Sequence, residues 1–181
     1  MDLVAQLDRI FHPRAVAVIG ASVNSDKVGT TCLRNLLEAG FRGKIYPVNP
    51  NLSELFGLRA YPSVRAISGE LDLAIIAIPA QLTIPTIEEC AAKRVSGAIL
   101  VSSGFKEVGT DTGLDLQNKI RDIANRGAMK IIGPNTLGLI NPRAHLNATF
   151  QPTVNSSKVG NVAVAAQSGG MCIYIVHALA N

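Results

Sequence analysis

The segment AVAVIGASVNSDKVGTTCLRNLL, residues 15–37, decides the fold. It begins with a short aliphatic run that is typical of a buried strand, and it ends with an amphipathic pattern that is typical of a helix. A loop that contains Gly20, Ala21, Ser22 and Gly29 joins the two. Small residues let a ligand approach the backbone, and a helix N-terminus attracts anions. The segment therefore predicts a strand, a loop and a helix that together hold a negatively charged group.

The same alternation of aliphatic runs and helical patterns continues along the chain. Strands are predicted at residues 15–20, 44–50, 72–79, 97–104 and 130–135, with a short extension at 138–141. Helices are predicted at residues 28–39, 83–93 and 112–126. Strands that alternate with helices are typical of βαβ units with right-handed crossovers. The predicted fold class is α/β, a Rossmann-like doubly wound and mostly parallel sheet.

The character of the chain changes after residue 141. Residues 142–160 are polar, rich in turn formers and without clear periodicity, and residues 161–181 predict one further buried strand and the start of a helix. A strand and a helix alone do not make a stable domain. We therefore expect a first domain over residues 1–145, and a linker with the truncated start of a second domain over residues 146–181.

The composition limits the kinds of ligand. Hydrophobic residues make up 48% of the 181 residues and charged residues 17%, which indicates a packed globular protein. Aromatic residues make up only 4%, Trp is absent, and the net charge of +4 comes from scattered Lys and Arg. The chain thus has few stacking platforms and no basic stripe for nucleic acid. A small polyanionic ligand is favoured over DNA or RNA.

Targeting signals and metal-binding patterns are not found in the sequence. The amino terminus MDLVAQLDRIF does not resemble a signal peptide, and no apolar run reaches the roughly 18 residues that cross a bilayer. We expect a cytoplasmic protein with no membrane partner. Cys32, Cys90 and Cys172 are widely separated and are expected to be reduced, mostly buried residues. The three histidines have no partner at metal-binding spacing, so no metal site is predicted.

Small or turn-forming residues follow each predicted strand. The carboxyl ends of parallel strands share one edge of the sheet, and ligands bind there, where the strand order reverses. The residues at this edge are Gly20, Ala21, Ser22, Asn49, Pro50, Pro79, Ser102, Ser103, Gly104, Pro134 and Asn135. Backbone amides at this edge are expected to hold phosphate groups.

Two features of the sequence argue against a nicotinamide dinucleotide. The loop GASVNSDKVG does not match G-x-G-x-x-G, and the strand KIYPVNP ends without an acid for the ribose hydroxyls. Asn49 would not repel a phosphate on the ribose, and Lys27 lies in the same loop. A nucleotide with a phosphorylated ribose is favoured. The chain also contains neither a P-loop motif nor a G-x-S-x-G nucleophile elbow, which argues against a P-loop NTPase and a hydrolase.

The segment AAQSGG, residues 165–170, lies between the last predicted strand and the last predicted helix. Ser168, Gly169 and Gly170 would place free amides at the start of this helix. This arrangement suits a second anion pocket, and it equally suits a plain N-cap serine. The residues alone leave both interpretations open.

Taken together, these motifs resemble a known family. The chain is similar to the CoA-binding domain of NDP-forming (ADP-forming) acyl-CoA synthetases, relatives of the succinyl-CoA synthetase α subunit. The segments that carry the resemblance are PRAVAVIGAS, KVG, GFRGKIYPVNP, DLAIIAIPA, SSGFKEVG, IIGPNTLGLIN, NATF and AAQSGG, which span residues 13–170 in the family's order. The resemblance implies a Rossmann-like CoA domain followed by the start of a flavodoxin-like ligase domain.

The resemblance also implies a ligand and a set of binding residues. Coenzyme A would lie across the strand ends, with its diphosphate near residues 20–22 and 27–29. The expected CoA-binding residues are Gly20, Ala21, Ser22, Lys27, Val28, Gly29, Val48, Asn49, Pro50, Ile78, Pro79, Ser102, Ser103, Gly104, Phe105 and Asn135. By similarity, Ser168, Gly169 and Gly170 would belong to the helix start that holds a phosphorylated histidine.

The family interconverts acyl-CoA, ADP and phosphate with acid, CoA and ATP through that phosphohistidine. The catalytic histidine is expected beyond Asn181, and ATP, ADP and Mg would bind outside this fragment, in an ATP-grasp subunit or domain. The fragment alone is therefore expected to bind CoA and acyl-CoA without turnover. Its acyl specificity and oligomeric state stay open, a homo-oligomer included. The chain departs from the family at Thr136, where Cys is common, and at Asn51, where Lys is frequent.

Two other functions remain as alternatives. The same region occurs fused to lysine acetyltransferase domains, where it acts as a CoA-sensing regulatory module. An NAD-binding redox sensor is disfavoured because the second strand lacks a terminal acid. We further expect Gly20→Val to abolish CoA binding while leaving the fold largely intact.

Overall fold

The computed structural model describes residues 2–151 and 158–180. Its strands are β1 (Ala15–Ile19), β2 (Lys44–Val48), β3 (Glu54–Leu55), β4 (Leu58–Arg59), β5 (Leu73–Ile76), β6 (Gly97–Leu100), β7 (Lys130–Ile132), β8 (Gly138–Asn141) and β9 (Leu146–Thr149). Its α-helices are α1 (Leu3–Phe11), α2 (Val28–Glu38), α3 (Thr83–Ala92), α4 (Asp111–Arg126) and α5 (Gly169–Ala180). Short 3-10 turns occupy Ala80–Leu82, Lys106–Val108 and Pro142–Ala144.

Five parallel strands form the central sheet, in the order β2-β1-β5-β6-β7. Every residue of β1, β5 and β6 is buried, which explains the continuous aliphatic runs in the sequence. The chain passes from β1 to one side for β2 and then to the other side for β5, so the order reverses between β1 and β5. The predicted α/β class and doubly wound sheet are confirmed.

Helices cover both faces of the sheet. On β1, Val16 and Val18 pack with residues of α1, α2 and β9, whereas Ala17 and Ile19 pack with residues of α3 and α4. This alternation follows from the period of two in a strand. No helix among residues 2–151 and 158–180 is long and apolar enough to cross a membrane.

The strands of the sheet end sooner than predicted. β5 stops at Ile76 and β6 at Leu100, so the small and turn-forming residues that follow lie in loops at the carboxyl edge. This edge, formed by the loops after β1, β2, β5, β6 and β7, is called the rim below. The first residue of each of these loops still bonds to the sheet, since the Ala77 amide donates to Ile19 and the Val101 amide to Ile76.

The sequence predicts that the segment 138–141 extends the central sheet, and this prediction is wrong. The segment forms β8, which pairs antiparallel with β9 in a separate two-stranded sheet. Leu146 and Ala148 of β9 are buried in the cluster that includes α2. The predicted boundary after residue 145 stays a prediction, but the core of the first unit includes residues up to Thr149, which is fully buried.

The buried strand predicted within residues 161–181 is wrong. Residues 158–168 form no strand and are almost all exposed, and Val162 is 69% exposed. The run VAVAA has the composition of a strand, but no strand of the described residues pairs with it. The helix predicted after it is confirmed as α5. Residues 152–157 of the predicted linker, and Asn181, lie outside the described residues.

Candidate functional site

The loop between β1 and α2 lies against backbone on two sides. Gly20 has φ +96°, and a Cβ placed there would lie 2.3 Å from the carbonyl oxygen of Ala77, just after β5. A Cβ at Gly29 would lie 2.6 Å from the carbonyl oxygen of Gly20. Real Cβ atoms do not approach backbone so closely, so both positions require glycine. The first turn of α2 therefore packs directly against the backbone that follows β1.

Side chains inside the loop fix its shape. The Thr30 hydroxyl accepts a hydrogen bond from the Ser22 amide at 3.0 Å and donates one to the Ser22 carbonyl at 2.9 Å. The Ser22 hydroxyl accepts from the Asn24 amide at 3.2 Å, and the Asn24 side chain accepts from the Asp26 amide at 2.8 Å. These bonds hold the loop in one conformation before any ligand binds.

The start of α2 offers unused donors. Within the described residues, the amides of Val28 and Gly29 donate to no protein acceptor, as expected for the first residues of a helix. The first turn carries no acidic residue. Lys27, at the N-cap position, is exposed and forms no ion pair with an acid in residues 2–151 or 158–180. Two amides, the helix dipole and one cation therefore favour an anion here.

Asn49 joins the end of β2 to this loop. Its side-chain amide donates to the Ala21 carbonyl at 2.8 Å, and its side-chain oxygen accepts from the Asn51 amide at 2.9 Å. The backbone amide of Asn49 also donates to Tyr61. Both ends of the side chain are therefore occupied within the protein. Asn49 positions the rim and adds no negative charge beside the loop.

Hydrogen bonds also connect the ends of β5, β6 and β7. The Ser102 hydroxyl donates to the Ile78 carbonyl. The Ser102 carbonyl accepts from the Asn135 amide at 3.0 Å. The loops that follow three neighbouring strands are thus fixed to one another at the rim.

Glu107 occupies the amides of the turn after β6. Its carboxylate accepts from the Gly104 amide at 2.7 Å and from the Phe105 amide at 3.2 Å. Desolvation acts to raise the pKa of Glu107, but the hydrogen bonds from the backbone of Gly104, Glu107 and Phe105 outweigh it and lower the pKa. A carboxylate of the protein therefore already fills this group of amides, which leaves the α2 start as the better anion position.

A pocket of about 300 Å³ opens between these loops. It is lined by Val28, Ala77, Ile78, Pro79, Val101, Ser102, Ser103 and Phe150. Six of these eight side chains are apolar, and the two serines supply the polar groups. The pocket lies beside the start of α2, to which Val28 belongs. A ligand with an anionic part and an uncharged arm fits this combination.

The structure brings most of the sequence-predicted residues together. Val28, Ile78, Pro79, Ser102 and Ser103 line the pocket. Gly29 lies in the first turn of α2, and the loops around the pocket hold Gly20, Ala21, Ser22, Lys27, Asn49, Pro50, Gly104 and Asn135. The side chains of Phe105 and Val48 lie elsewhere, because both are buried in the core cluster that includes residues of α3 and α4. Their backbones also have partners at the rim, since the Val48 carbonyl accepts from the Gly20 amide and the Phe105 amide donates to Glu107.

Three pocket residues were missed by the sequence analysis. Ala77 and Val101 were counted as interior residues of longer strands, and Phe150 lies in the segment taken as a linker. The motif NATF was visible, but nothing in its pattern shows that β9 returns to α2. That contact joins residues more than 100 positions apart.

Ser168 acts as an N-cap in the structure. Its hydroxyl accepts from the Met171 amide at 3.3 Å, and its carbonyl accepts from the Cys172 amide at 3.0 Å. A Cβ at Gly169 would lie 3.2 Å from that of Leu137, so the start of α5 lies beside the segment that follows β7. Ser168, Gly169 and Gly170 do not line the pocket. Their role in holding a phosphorylated histidine stays a prediction.

Comparisons with known proteins identify the family of the chain. Residues 14–142 match the family described as CoA binding domain. The chain is 42% identical over 170 residues to the ADP-forming acetate–CoA ligase I of Archaeoglobus fulgidus, covering 94% of this chain and 24% of the relative. It is 43% identical over 171 residues to the α subunit of the ADP-forming acetate–CoA ligase II of Pyrococcus furiosus, covering 94% and 36%.

A solved structure shows the same fold. It is the dinucleotide forming acetyl-coenzyme A synthetase 1 of Candidatus Korarchaeum cryptofilum, in complex with phosphate and ADP. The TM-score is 0.89 at 40% identity, and the match covers 96% of this chain and 36% of that one. The chain therefore spans about a quarter to a third of the length of these relatives. Because the family match covers most of the chain and contains the whole rim of the central sheet, this protein belongs to the CoA binding domain family.

Proposed function

We propose that this chain binds coenzyme A as part of an ADP-forming acyl-CoA ligase. In the whole protein, acyl-CoA, ADP and phosphate would be interconverted with the free acid, CoA and ATP. Relatives at about 42% identity carry the name of ADP-forming acetate–CoA ligases, which supports this reaction class. The observation that carries the proposal is the geometry at the start of α2. Gly20 and Gly29 let the loop after β1 pack closely against the helix, and the amides of Val28 and Gly29 have no acceptor among the described residues.

The diphosphate of CoA fits the start of α2. Gly20 and Gly29 leave no side chain between the loop and the helix, and the amides of Val28 and Gly29 have no acceptor among the described residues. The charge of Lys27 adds to the helix dipole. Helix N-termini with glycine-containing loops bind phosphate groups in this manner. These residues would bind and orient the cofactor and take no chemical part in the reaction.

The end of β2 suits CoA better than NAD. NAD-binding domains place an acid there to accept the ribose hydroxyls, whereas Asn49 occupies the position here and its side chain is bound to Ala21 and Asn51. A ribose that carries a phosphate meets no negative charge from Asn49 at this point. Because Asn51 stands where the resemblance implies Lys, Lys27 is the cation we assign to the phosphates of CoA.

Turnover would require more than this chain. The reaction needs a phosphorylated histidine and an ATP-grasp domain or subunit, and one relative is itself named as an α subunit. ATP or ADP, with magnesium, would bind to that other part. Ser168 and the glycines after it are proposed to belong to the helix start that faces the phosphohistidine.

Calorimetric titration of the 181-residue chain with CoA, dephospho-CoA and NAD tests the proposal. We expect CoA to bind and to raise the Tm, since a ligand at about 100 times its Kd adds about 2.7 kcal/mol to the free energy of unfolding. Dephospho-CoA should bind more weakly, and NAD should neither bind nor raise the Tm. Binding of NAD without binding of CoA would refute the assignment of the nucleotide.

A further inference from the structure

The side chain of Asn35 connects α2 to the end of β9. Asn35 is fully buried, and its side-chain amide donates to the carbonyl of Thr149 at 2.8 Å and to that of Gln151 at 3.2 Å. Its side-chain oxygen is buried and accepts no hydrogen bond from the described residues. The Asn35 side chain therefore contributes hydrogen bonds only through its NH2 group. A carboxylate at this position would face two carbonyl oxygens.

The two carbonyls that Asn35 holds lie on either side of Phe150. The Phe150 side chain is partly buried against the cluster that contains α2, and Phe150 also lines the pocket. Loss of the hydrogen bonds to Thr149 and Gln151 would remove a restraint on the chain on each side of this ring, although Thr149 stays paired with Gly138. Asn35 itself does not line the pocket, so any effect on a ligand must act through Phe150.

One face of α2 both lines the pocket and bonds to the end of β9. Val28 lines the pocket from the first turn, and Asn35 follows seven residues later, which places the two side chains on the same side of the helix. The helix that presents its N-terminus to an anion thus also fixes the apolar wall beside it. A change in Asn35 should affect that wall while leaving the amides of Val28 and Gly29 in place.

We propose that Asn35 is a positioning residue that holds Phe150 as the wall of a subsite for the pantetheine arm of CoA. This inference rests on the proposed CoA binding. The diphosphate would sit at α2, from which the two arms of CoA leave in different directions. β2 lies on one side of β1, and β5 and β6 lie on the other. The nucleotide end is assigned to the β2 side, so the uncharged arm is left for the pocket after β5 and β6.

The chemistry of the pocket fits an uncharged chain of methylene, methyl and amide groups. Phe150, Ile78, Pro79 and Val101 provide apolar contacts, and Ser102 and Ser103 provide hydroxyls. None of the eight lining residues carries a charge. Ligand pockets usually have an apolar lining with a few polar groups that fix the orientation of the ligand.

Two ligands separate the subsites: CoA, and adenosine 3′,5′-bisphosphate, which lacks the pantetheine arm and one phosphate of the diphosphate. We expect Phe150→Ala to weaken CoA binding about tenfold, because apolar contact area is lost. Phe150→Leu should recover most of that loss. Binding of the bisphosphate should change less than about twofold in either variant, since well-separated contacts act independently.

Asn35→Ala should weaken CoA binding about fivefold, because the two buried hydrogen bonds that hold Phe150 in place are lost. Binding of the bisphosphate should be nearly unaffected. The double variant should bind CoA only about tenfold more weakly than the wild type, instead of the about fiftyfold that independent effects would give. Asn35→Ala should lower the Tm in either case, but a purely structural role of Asn35 would weaken both ligands alike and add fully to Phe150→Ala.

Matched controls lie elsewhere in the chain. Gln6 is a second buried carboxamide on a helix that donates to two backbone carbonyls, those of Ser96 and Ala128, away from the pocket. Phe41 packs against the same cluster as Phe150 but does not line the pocket. Gln6→Ala and Phe41→Ala should lower the Tm without changing CoA affinity.

The outcomes separate the inference from the proposed function. If the wild type binds neither ligand, the proposed CoA binding itself fails. If it binds CoA and the variants of Asn35 and Phe150 bind it equally well, the proposed function stands and this inference is overturned. Equal weakening of CoA and the bisphosphate would also overturn it, because the pocket would then not be specific for the pantetheine arm.

Discussion

The carbonyl group of Ala77 closes the space beside Gly20, so that a Cβ on Gly20 would lie 2.3 Å from that oxygen. The expectation that Gly20→Val would remove binding and leave the fold largely intact is therefore wrong in its second part. The sequence shows a glycine in a loop but does not show that the neighbouring strand end lies against it. The positive φ of Gly20 adds a second restriction on any side chain.

Substitution of Gly29 tests the contact between helix and strand. Gly29→Ala places a Cβ 2.6 Å from the Gly20 carbonyl oxygen and 2.8 Å from the Ala21 nitrogen, so α2 must move. We expect a loss of about 1–3 kcal/mol in the free energy of unfolding, as for other overpacked positions. CoA affinity should fall with it. Gly160→Ala, where no atom lies within 4 Å of the added Cβ, is the control and should have little effect in urea denaturation.

The Thr30 hydroxyl should stabilise the loop in the free protein. Thr30→Val keeps the shape but leaves the amide and the carbonyl of Ser22 without this partner. The expected cost is about 1–3 kcal/mol, measured by thermal or denaturant unfolding. Thr86→Val is the matched change on α3, where the hydroxyl makes one long bond of 3.4 Å. Equal stability losses in the two variants would contradict the role given to Thr30.

Lys27 should contribute to CoA binding through its charge. Lys27→Ala is expected to weaken CoA binding a few-fold, and the difference from the wild type should shrink as salt concentration rises, because salt screens an exposed charge. Lys130→Ala removes an exposed charge at the opposite edge of the sheet, where β7 begins, and serves as the control. Calorimetric titration at low and high salt measures both. An equal effect of the two variants would argue against an anion at α2.

Glu107 should make stability depend on pH in the acid range. Its pKa is lowered in the folded chain, so its contribution to stability is present above its ordinary value of 4.5 and is lost as pH falls through the lower folded value. Glu107→Gln should remove this part of the acid dependence. The measurement is the Tm of both proteins as a function of pH. Glu88→Gln, on the exposed side of α3, controls for the loss of one carboxylate.

The thiols should differ in reactivity. Burial raises the pKa of Cys32 and of Cys90 to about 12, whereas Cys172 is only partly buried. Because the thiolate is the reactive form, a disulfide reagent at mildly alkaline pH should modify Cys172 in the native chain and all three thiols after unfolding. The Cys172→Ser variant should show almost no native reaction. Rapid labelling of Cys32 would contradict its burial in α2.

The sequence predicts the central sheet well, because its strands are buried on both faces. Such strands read as unbroken aliphatic runs, and the turn-forming residues that follow them mark the rim. The loop from Gly20 to Gly29 could be predicted as part of the rim because small residues follow the aliphatic run of β1. The residue at which each strand ends could not be predicted, since Ala77 and Val101 are as apolar as the residues before them.

The parts that failed depend on contacts between distant segments. The strand β9 is short and partly polar, and only its packing against α2 and the bonds from Asn35 show that it belongs to the first unit. Phe150 could not be placed in the pocket without that contact. Conversely, residues 161–167 have the composition of a strand but have no pairing partner among the described residues.

The docking of β9 on α2 bears on how the protein should be divided for expression. A fragment that ends at residue 145 would lack Leu146 and Ala148, which pack in the cluster that contains α2. The aliphatic surface that they cover would be exposed, which favours aggregation and proteolysis. A cut placed after Gln151 keeps the acceptors of Asn35 on the fragment. Deletion clones that differ by these six residues should therefore behave as an insoluble and a soluble product.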